Sequence, residues 1–323
     1  MQYTTLEGIG PKLSRLVYGS AKPVGRSPEG AYDCLEMAFQ YGFRVFDTAN
    51  SYGGSEENIG RWLEKSGHRD EVVLFDKGFN PNQHYGAPVD VFSAETIRSQ
   101  IALSLQRLRT DHLDLYVLHR DDPAHDPAEI IDALNEQKAL GRICRFGVSN
   151  WTLPRVQLAN AYAAAHGLEG FSVVGPCYSL ANLARDPWGG SVTLSGPQNR
   201  DYRAWLRKND LPVFPYSSLA RGFMSGKYRT DSGLPIEDVL PAGTLAEYHV
   251  PANIEALKRA EKVAYDHGCA VSTVALAWLL SRPLNLFPIT SPTGEKHLQE
   301  AVDALSLQLT REELDYLRNE EAE

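Results

Sequence analysis

Apolar and polar positions along the chain follow two rhythms. Short apolar runs recur as "LSRLVYGS" (13–20), "FRVFDTA" (43–49), "EVVLFDKG" (71–78), "LDLYVLH" (113–119), "ICRFGVS" (143–149), "FSVVG" (171–175), "LPVFPYS" (211–217) and "LNLFPIT" (284–290). Between them lie stretches whose apolar residues return every three or four positions, the helical period. "SPEGAYDCLEMAFQYG" opens with Ser-Pro, and Glu29 is expected at the capping-box position. "SAETIRSQIALSLQRLR" begins on a Ser cap, and "PAEIIDALNEQKALG", "TLPRVQLANAYAAAHG", "NIEALKRAEKVAYDHG", "STVALAWLLSRP" and "EKHLQEAVDAL" read as further helices. Strands alternating with helices imply parallel strands joined by crossovers. Eight strands, most followed by a helix, predict an α/β fold: a closed (β/α)8 TIM barrel, with residues 1–323 as a single domain. The alternative is a doubly wound sheet, but "VYGSAKPVG" after the first strand lacks the GxGxxG fingerprint.

A barrel gives the chemistry an address, because catalytic side chains gather at the C-terminal ends of its strands. "FRVFDTANSYGGSEENIGRWL" (43–63) runs from an apolar strand into a helix with Ile59, Trp62 and Leu63 on one side, and its Gly-rich turn holds Asp47 and Tyr52. Lys77 ends the third strand, His119 the fourth, Ser149 and Asn150 the fifth, and Tyr216 the seventh. A phenol loses its proton near pH ~10. A neighbouring ammonium, Lys77, favours the phenolate and lowers that value, with Asp47 holding and balancing the lysine. His119 orients a carbonyl, and Tyr52 gives its proton to the carbonyl oxygen as hydride arrives at carbon, a contribution of roughly 10²–10⁴-fold. No side chain supplies hydride, so a cofactor is required. Taken singly, the four have plainer uses: a loop cap, a packing phenol, a surface charge and a core histidine. Their order at successive strand ends argues for chemistry.

Composition narrows the setting. The net charge of -9 disfavours nucleic acid or an anionic membrane as partner. The 43% hydrophobic content is ample for a core. No apolar run approaches the ~18 residues of a membrane span, and "MQYTTLEGIG" does not read as a signal peptide. Cys34, Cys144, Cys177 and Cys269 are scattered, as expected of reduced thiols in a cytoplasmic protein. The loop "HRDDPAHDP" is read as solvated charge, or as Arg120, Asp121 or Asp122 touching a polyhydroxylated substrate. A metal there is not expected, because barrel metals draw ligands from several strands.

The chain resembles the aldo-keto reductase superfamily. "FDTANSYGGSEENIG" is similar to its DTA-x-x-YG-x-x-E-x-x-G signature, and "LH" (118–119), "GVSN" (147–150), "YSSLARGFMSGKY" (216–228) and "ITSPTGEKHLQEAVDAL" are similar to its later motifs, in family order. The resemblance implies reversible NAD(P)H-dependent reduction of an aldehyde or ketone to an alcohol, with Tyr52 as general acid/base, Lys77 and Asp47 tuning it, and His119 orienting the carbonyl. It implies that Ser149 and Asn150 hold the nicotinamide carboxamide and that Tyr216 stacks on the ring. Ser217, Leu219, Arg221 and Gly222, within "SSLARG", would wrap the pyrophosphate, and Lys227 would add charge. Ser291, Thr293 and His297 would meet the adenosine 2′-phosphate, and Glu300 the adenine. NADP(H) is favoured, with NAD(H) as the alternative and no metal.

Three departures from the family pattern stand out. Asp76 precedes Lys77 where the family usually has Thr. Gly175 stands where it commonly has Gln. Thr293 and His297, beside Lys296, occupy positions where NADP-specific members usually carry Arg or Lys. The loop from Ser179 to about Arg200, with Trp188, reads as a lid or pocket wall, and Trp151 as a residue of the mouth. Aromatic walls with nearby carboxylates are expected to suit a sugar or keto-sugar. The competing function is a nucleotide-binding regulatory or sensor barrel acting through a partner protein.

Overall fold

A computed structural model describes residues 1–21, 27–80 and 93–318. The stretch "VYGSAKPVG" passes outside the described residues at Lys22. The chain divides into two compact units, Met1–Gly175 and Pro176–Glu323.

The first unit opens with an antiparallel pair, β1 (Tyr3–Thr4) and β2 (Leu13–Ser14). Then come β3 (Val17–Gly19), α1 (Pro28–Gln40), β4 (Val45–Asp47), α2 (Ser55–Ser66), β5 (Val73–Gly78), α3 (Ala94–Leu108), β6 (Leu113–Leu118), α4 (Pro127–Ala139), β7 (Ile143–Ser149), α5 (Leu153–His166) and β8 (Val173–Gly175). β3 to β8 pair in parallel with their chain neighbours, Gly19 opposite Asp47, Lys77 opposite Val117 and Ser149 opposite Gly175. This is the alternation expected of crossover units.

Two local expectations change. The run 13–20 splits, because the Ser14 hydroxyl bonds Leu16 O at 2.6 Å and accepts Arg44 N at 2.8 Å, interrupting the strand between β2 and β3. α1 is capped by Ser27, whose Oγ accepts Gly30 N at 3.1 Å. Gly30, not Glu29, therefore holds the third helical position, and no capping box forms there. α3 has its Ser93 cap on Thr96 N at 3.1 Å. Ile59, Trp62 and Leu63 of α2 are buried as expected, Trp62 against Phe39 and Phe46. Gly60 lets α2 approach α3, since a Cβ there would stand 2.3 Å from Arg107 O.

The second unit contains α6 (Arg200–Asn209), α7 (Ala242–Tyr248), α8 (Pro251–His267), α9 (Val271–Leu280), β9 (Ile289–Thr290), α10 (Glu295–Asp303) and α11 (Arg311–Arg318). The expected strand 211–217 is not regular. It runs beside 284–290, with Val213 N on Asn285 O at 2.8 Å, Phe287 N on Val213 O at 2.8 Å and Ile289 N on Pro215 O at 2.9 Å. Pro212, Pro215 and Pro288 have no N–H to complete the ladder, so isolated bridges remain. The loop after Ser179 returns to Cys177, which bonds Val192 O and Leu194 N, each at 2.8 Å. Among the described residues no single helix is long and apolar enough to cross a membrane.

Candidate active site

Backbone pairing assembles the four expected side chains. Asp47 ends β4, and the following loop stays pinned to β5: Thr48 N donates to Phe75 O and Asn50 N to Lys77 O, both at 2.9 Å. Tyr52 sits in the next turn, its N–H on Ala49 O at 3.0 Å, with Gly53 at φ 60° taking the left-handed conformation the turn needs. Just past β6, His119 N donates to Gly78 O at 2.7 Å. Three strand ends are thereby locked edge to edge.

The side chains meet there. Lys77 Nζ is hydrogen-bonded to Asp47 Oδ1 and to Thr48 O, the latter at 3.1 Å. Asp47 and Lys77 are each 3% exposed, so this is a buried ion pair. Lys77 Nζ lies 5.0 Å from the centre of the Tyr52 ring. His119 presents its ring edge-on to Tyr52, centroids 5.7 Å apart at 80°. His119 Nδ1 is buried and has no hydrogen-bond partner among the described residues.

Electrostatics fixes the protonation states. Burial pulls the Lys77 ammonium down, but Asp47 and Tyr52 outweigh it and the net shift is upward. Burial pushes the Tyr52 phenol up while Lys77 pulls it down, and burial wins. The expected lowering by Lys77 is therefore present but overridden, and the phenol stands in its proton-donating form at neutral pH. Burial drives His119 well below the usual imidazole value, with Lys77 and Arg120 adding to it, so the ring is neutral. Arg120, read as solvated loop charge or as a substrate contact, is buried, and its charge acts on both His119 and Tyr52.

Asp76 points to the other side of β5, as strand alternation requires. It is fully buried, and neither carboxyl oxygen has a hydrogen-bond partner among the described residues. The nearby Ser104 hydroxyl donates to Glu56 Oε1 at 2.6 Å, and Arg107 pairs with Glu56 Oε2 at 2.9 Å. Burial and then Glu56 push Asp76 up to about 8.

Of the expected cofactor residues, Ser149 and Asn150 adjoin His119. Asn150 Nδ2 donates to His119 O and to Ser149 Oγ, both at 3.1 Å, and Asn150 has φ 60°. Ser149 Oγ donates to Gly175 O at 2.6 Å, so the glycine that stands for a Gln offers its carbonyl instead. In the second unit, Tyr216 lies 6.2 Å from Trp188, centroid to centroid. Ser217, Ala220 and Arg221 all have left-handed φ, at 53°, 51° and 53°, and Gly222 has φ 97°. Each non-glycine residue so placed costs roughly 1–2 kcal/mol, strain that clusters at ligand-binding segments. Leu219 O accepts Gly222 N at 2.9 Å inside this loop. Arg221 pairs with Glu247 and lies over Trp188. Lys227 is exposed. Ser291 and Thr293 precede α10, and Thr293 Oγ1 lies 3.4 Å from His297 Nδ1. Glu300 accepts from Ser272 Oγ at 2.8 Å.

Three residues considered for the substrate wall are held by their neighbours. Trp151 is 1% exposed, packed on Phe171 with its Nε1 on Arg120 O at 3.1 Å, so it supports the loop rather than lining a mouth. Asp121 is held bidentately by Arg155 at 3.0 and 2.9 Å. Asp122 is taken by His125 and Ala124 N, both at 3.0 Å.

A model of the Aldo/keto reductase family matches residues 15–321. The chain belongs to this family. A norsolorinic acid reductase B from Dothistroma septosporum is 28% identical over 300 residues, covering 90% of this chain and 71% of that protein. An aryl-alcohol dehydrogenase from Pestalotiopsis microspora is 27% identical over 294 residues, covering 88% and 71%. The crystal structure of a thermostable aldo-keto reductase, Tm1743, with the inhibitor epalrestat matches with TM-score 0.73 and 23% identity, covering 98% of this chain and 99% of that one. The fold is thus the (β/α)8 barrel the sequence pattern called for, and this aldo-keto reductase is an oxidoreductase.

Proposed function

We propose that this aldo-keto reductase catalyses the reversible NAD(P)H-dependent reduction of an aldehyde or ketone, with Tyr52 as the proton donor. The observation that carries the reading is the buried Asp47–Lys77 ion pair beside a protonated phenol, with a neutral histidine edge-on to it. Tyr52 gives its O–H proton to the carbonyl oxygen, and Lys77 stabilises the phenolate that remains. Asp47 keeps the ammonium charged and in place. The neutral His119 donates one N–H to the same oxygen and fixes its orientation.

A nicotinamide cofactor supplies the hydride when bound. The residues present fit such a group. Asn150 and Ser149 offer polar atoms for a carboxamide, and the strained 217–222 loop suits a pyrophosphate. Tyr216 offers a ring face, and Lys227 and Arg221 add positive charge. Ser291, Thr293 and His297, with Lys296, form a polar, partly cationic corner at the start of α10, which favours NADP(H) over NAD(H). With its carboxylate engaged by Ser272, Glu300 is held at that corner to meet adenine. The same reading takes residues 1–323 as one domain working on a small molecule in the cytoplasm, in keeping with four cysteines outside any disulfide.

On substrate class, a sugar or keto-sugar loses the support of Trp151, Asp121 and Asp122. Trp188 remains as an aromatic wall, and the relatives named for norsolorinic acid and aryl alcohols favour an aryl carbonyl. A panel of sugars, keto-sugars and aromatic aldehydes assayed by NADPH and NADH oxidation tests the reading. The expected result is turnover of an aryl aldehyde with higher kcat/KM for NADPH. Rapid turnover of sugars alone restores the sugar reading, and a clear NADH preference reverses the cofactor assignment. Tight NADPH binding without turnover of any carbonyl instead supports a sensor acting through a partner.

A further inference from the structure

We propose that His112, Asp114 and Cys144 form a zinc site at the N-terminal ends of β6 and β7, built from residues the reductase chemistry does not use. The strand register assembles it. His112 and Asp114 are two residues apart, so they share one face of the extended chain. The parallel pairing of Leu113 with Ile143 and Leu115 with Arg145 sets Asp114 directly beside Cys144. The ligand atoms of the three residues lie within 4.8 Å of one another.

Their hydrogen bonds leave electron-rich atoms facing each other. Asp111 Oδ1 accepts from His112 Nδ1 at 2.6 Å, which in the neutral ring leaves Nε2 as a bare lone pair. Nε2 stands 3.9 Å from Asp114 Oδ1, too far for a hydrogen bond. The other carboxylate oxygen, Asp114 Oδ2, is already occupied by Leu74 N at 2.9 Å and Arg69 at 3.0 Å. Two acceptors and a thiol therefore converge with no proton positioned between the acceptors. A tetrahedral zinc with bonds of about 2.1 Å to nitrogen and oxygen sets those atoms about 3.4 Å apart, so the gap needs to close by only about half an ångström.

The surroundings are those of a supported metal centre. A carboxylate behind the imidazole and donors behind the carboxylate orient both ligands. Arg69 further pins the strand start by donating to His112 O at 2.9 Å and to Thr110 Oγ1 at 2.8 Å. Thiolate, imidazole and carboxylate together select zinc over magnesium or calcium. His112 and Cys144 are half-buried, which leaves a solvent-facing position for a water as fourth ligand. With a thiolate, Asp114 and Asp111 against zinc and Arg69, the formal charges cancel.

The test is a cobalt(II) titration of the full, chelator-treated chain, followed by zinc displacement. The expected result is one cobalt per chain with a thiolate-to-cobalt charge-transfer band. The band should vanish in Cys144→Ser, and affinity should fall about 10–100-fold in Asp111→Asn, which removes only the support behind the imidazole. Circular dichroism confirms that both variants are folded. No thiolate band in the wild type, or a band that survives Cys144→Ser, overturns the proposal.

Discussion

Asp76 allows a worked test of how this barrel tolerates a buried acid next to Lys77. Glu56 holds the available donors, Ser104 and Arg107, and Asp76 holds none. Burial raises both carboxyls, and that of Asp76, without those donors, rises from 3.8 to about 8. A carboxyl whose folded pKa is raised contributes stability that is complete below its unfolded value and is lost as pH rises to the folded one. The window here runs from about 4 to about 8. Each unit is worth about 1.4 kcal/mol, so wild-type stability should fall by about 3 kcal/mol from this one group between pH 5 and pH 7. Asp76→Asn replaces a neutral carboxyl with a neutral amide of the same shape and removes that dependence. Urea unfolding of both proteins across the window measures it: the stability gap should shift in favour of the variant with pH, then level off above about pH 8. Parallel stability curves across the window would mean that Asp76 is ionised throughout, and would refute the reasoning.

Three further outcomes follow. Lys77→Met should destabilise the fold by about 3–5 kcal/mol by leaving Asp47 buried without its cation, and Lys77→Met with Asp47→Leu should recover much of that loss in denaturant melts while remaining inactive. Because His119 is neutral well below the usual imidazole value, carbonyl reduction should show no histidine limb between about pH 6 and pH 8; a rate that changes steeply near pH 6.5 and loses that change in His119→Gln would contradict this. Gly60→Ala should lower the thermal midpoint, since its Cβ meets Arg107 O, a backbone atom with little room to yield.

Much of the barrel was legible because its signal is local. The apolar runs from 43 to 175 each contain a strand, since parallel strands buried on both faces must be apolar throughout. The rim residues were legible for the same reason: Asp47, Lys77 and His119 are polar residues where buried runs stop. The second unit was harder. Prolines at 212, 215 and 288 remove the donors that would make 211–217 regular, and α6, α7 and α11 are too short or too polar to announce themselves beside a long loop. Burial was the other blind spot. Trp151 and Arg120 read as exposed loop residues, yet Trp151 is buried on Phe171 and Arg120 acts electrostatically on Tyr52 and His119. The net direction of the Tyr52 shift depended on the same hidden quantity.

The account stands most directly on Tyr52. Tyr52→Phe keeps the ring and its contact with His119 and removes only the hydroxyl. Fluorescence titration with NADPH should give a dissociation constant within a few-fold of wild type, while kcat for an aldehyde falls roughly 10²–10⁴-fold. A variant that reduces the aldehyde at the wild-type rate would contradict the central claim.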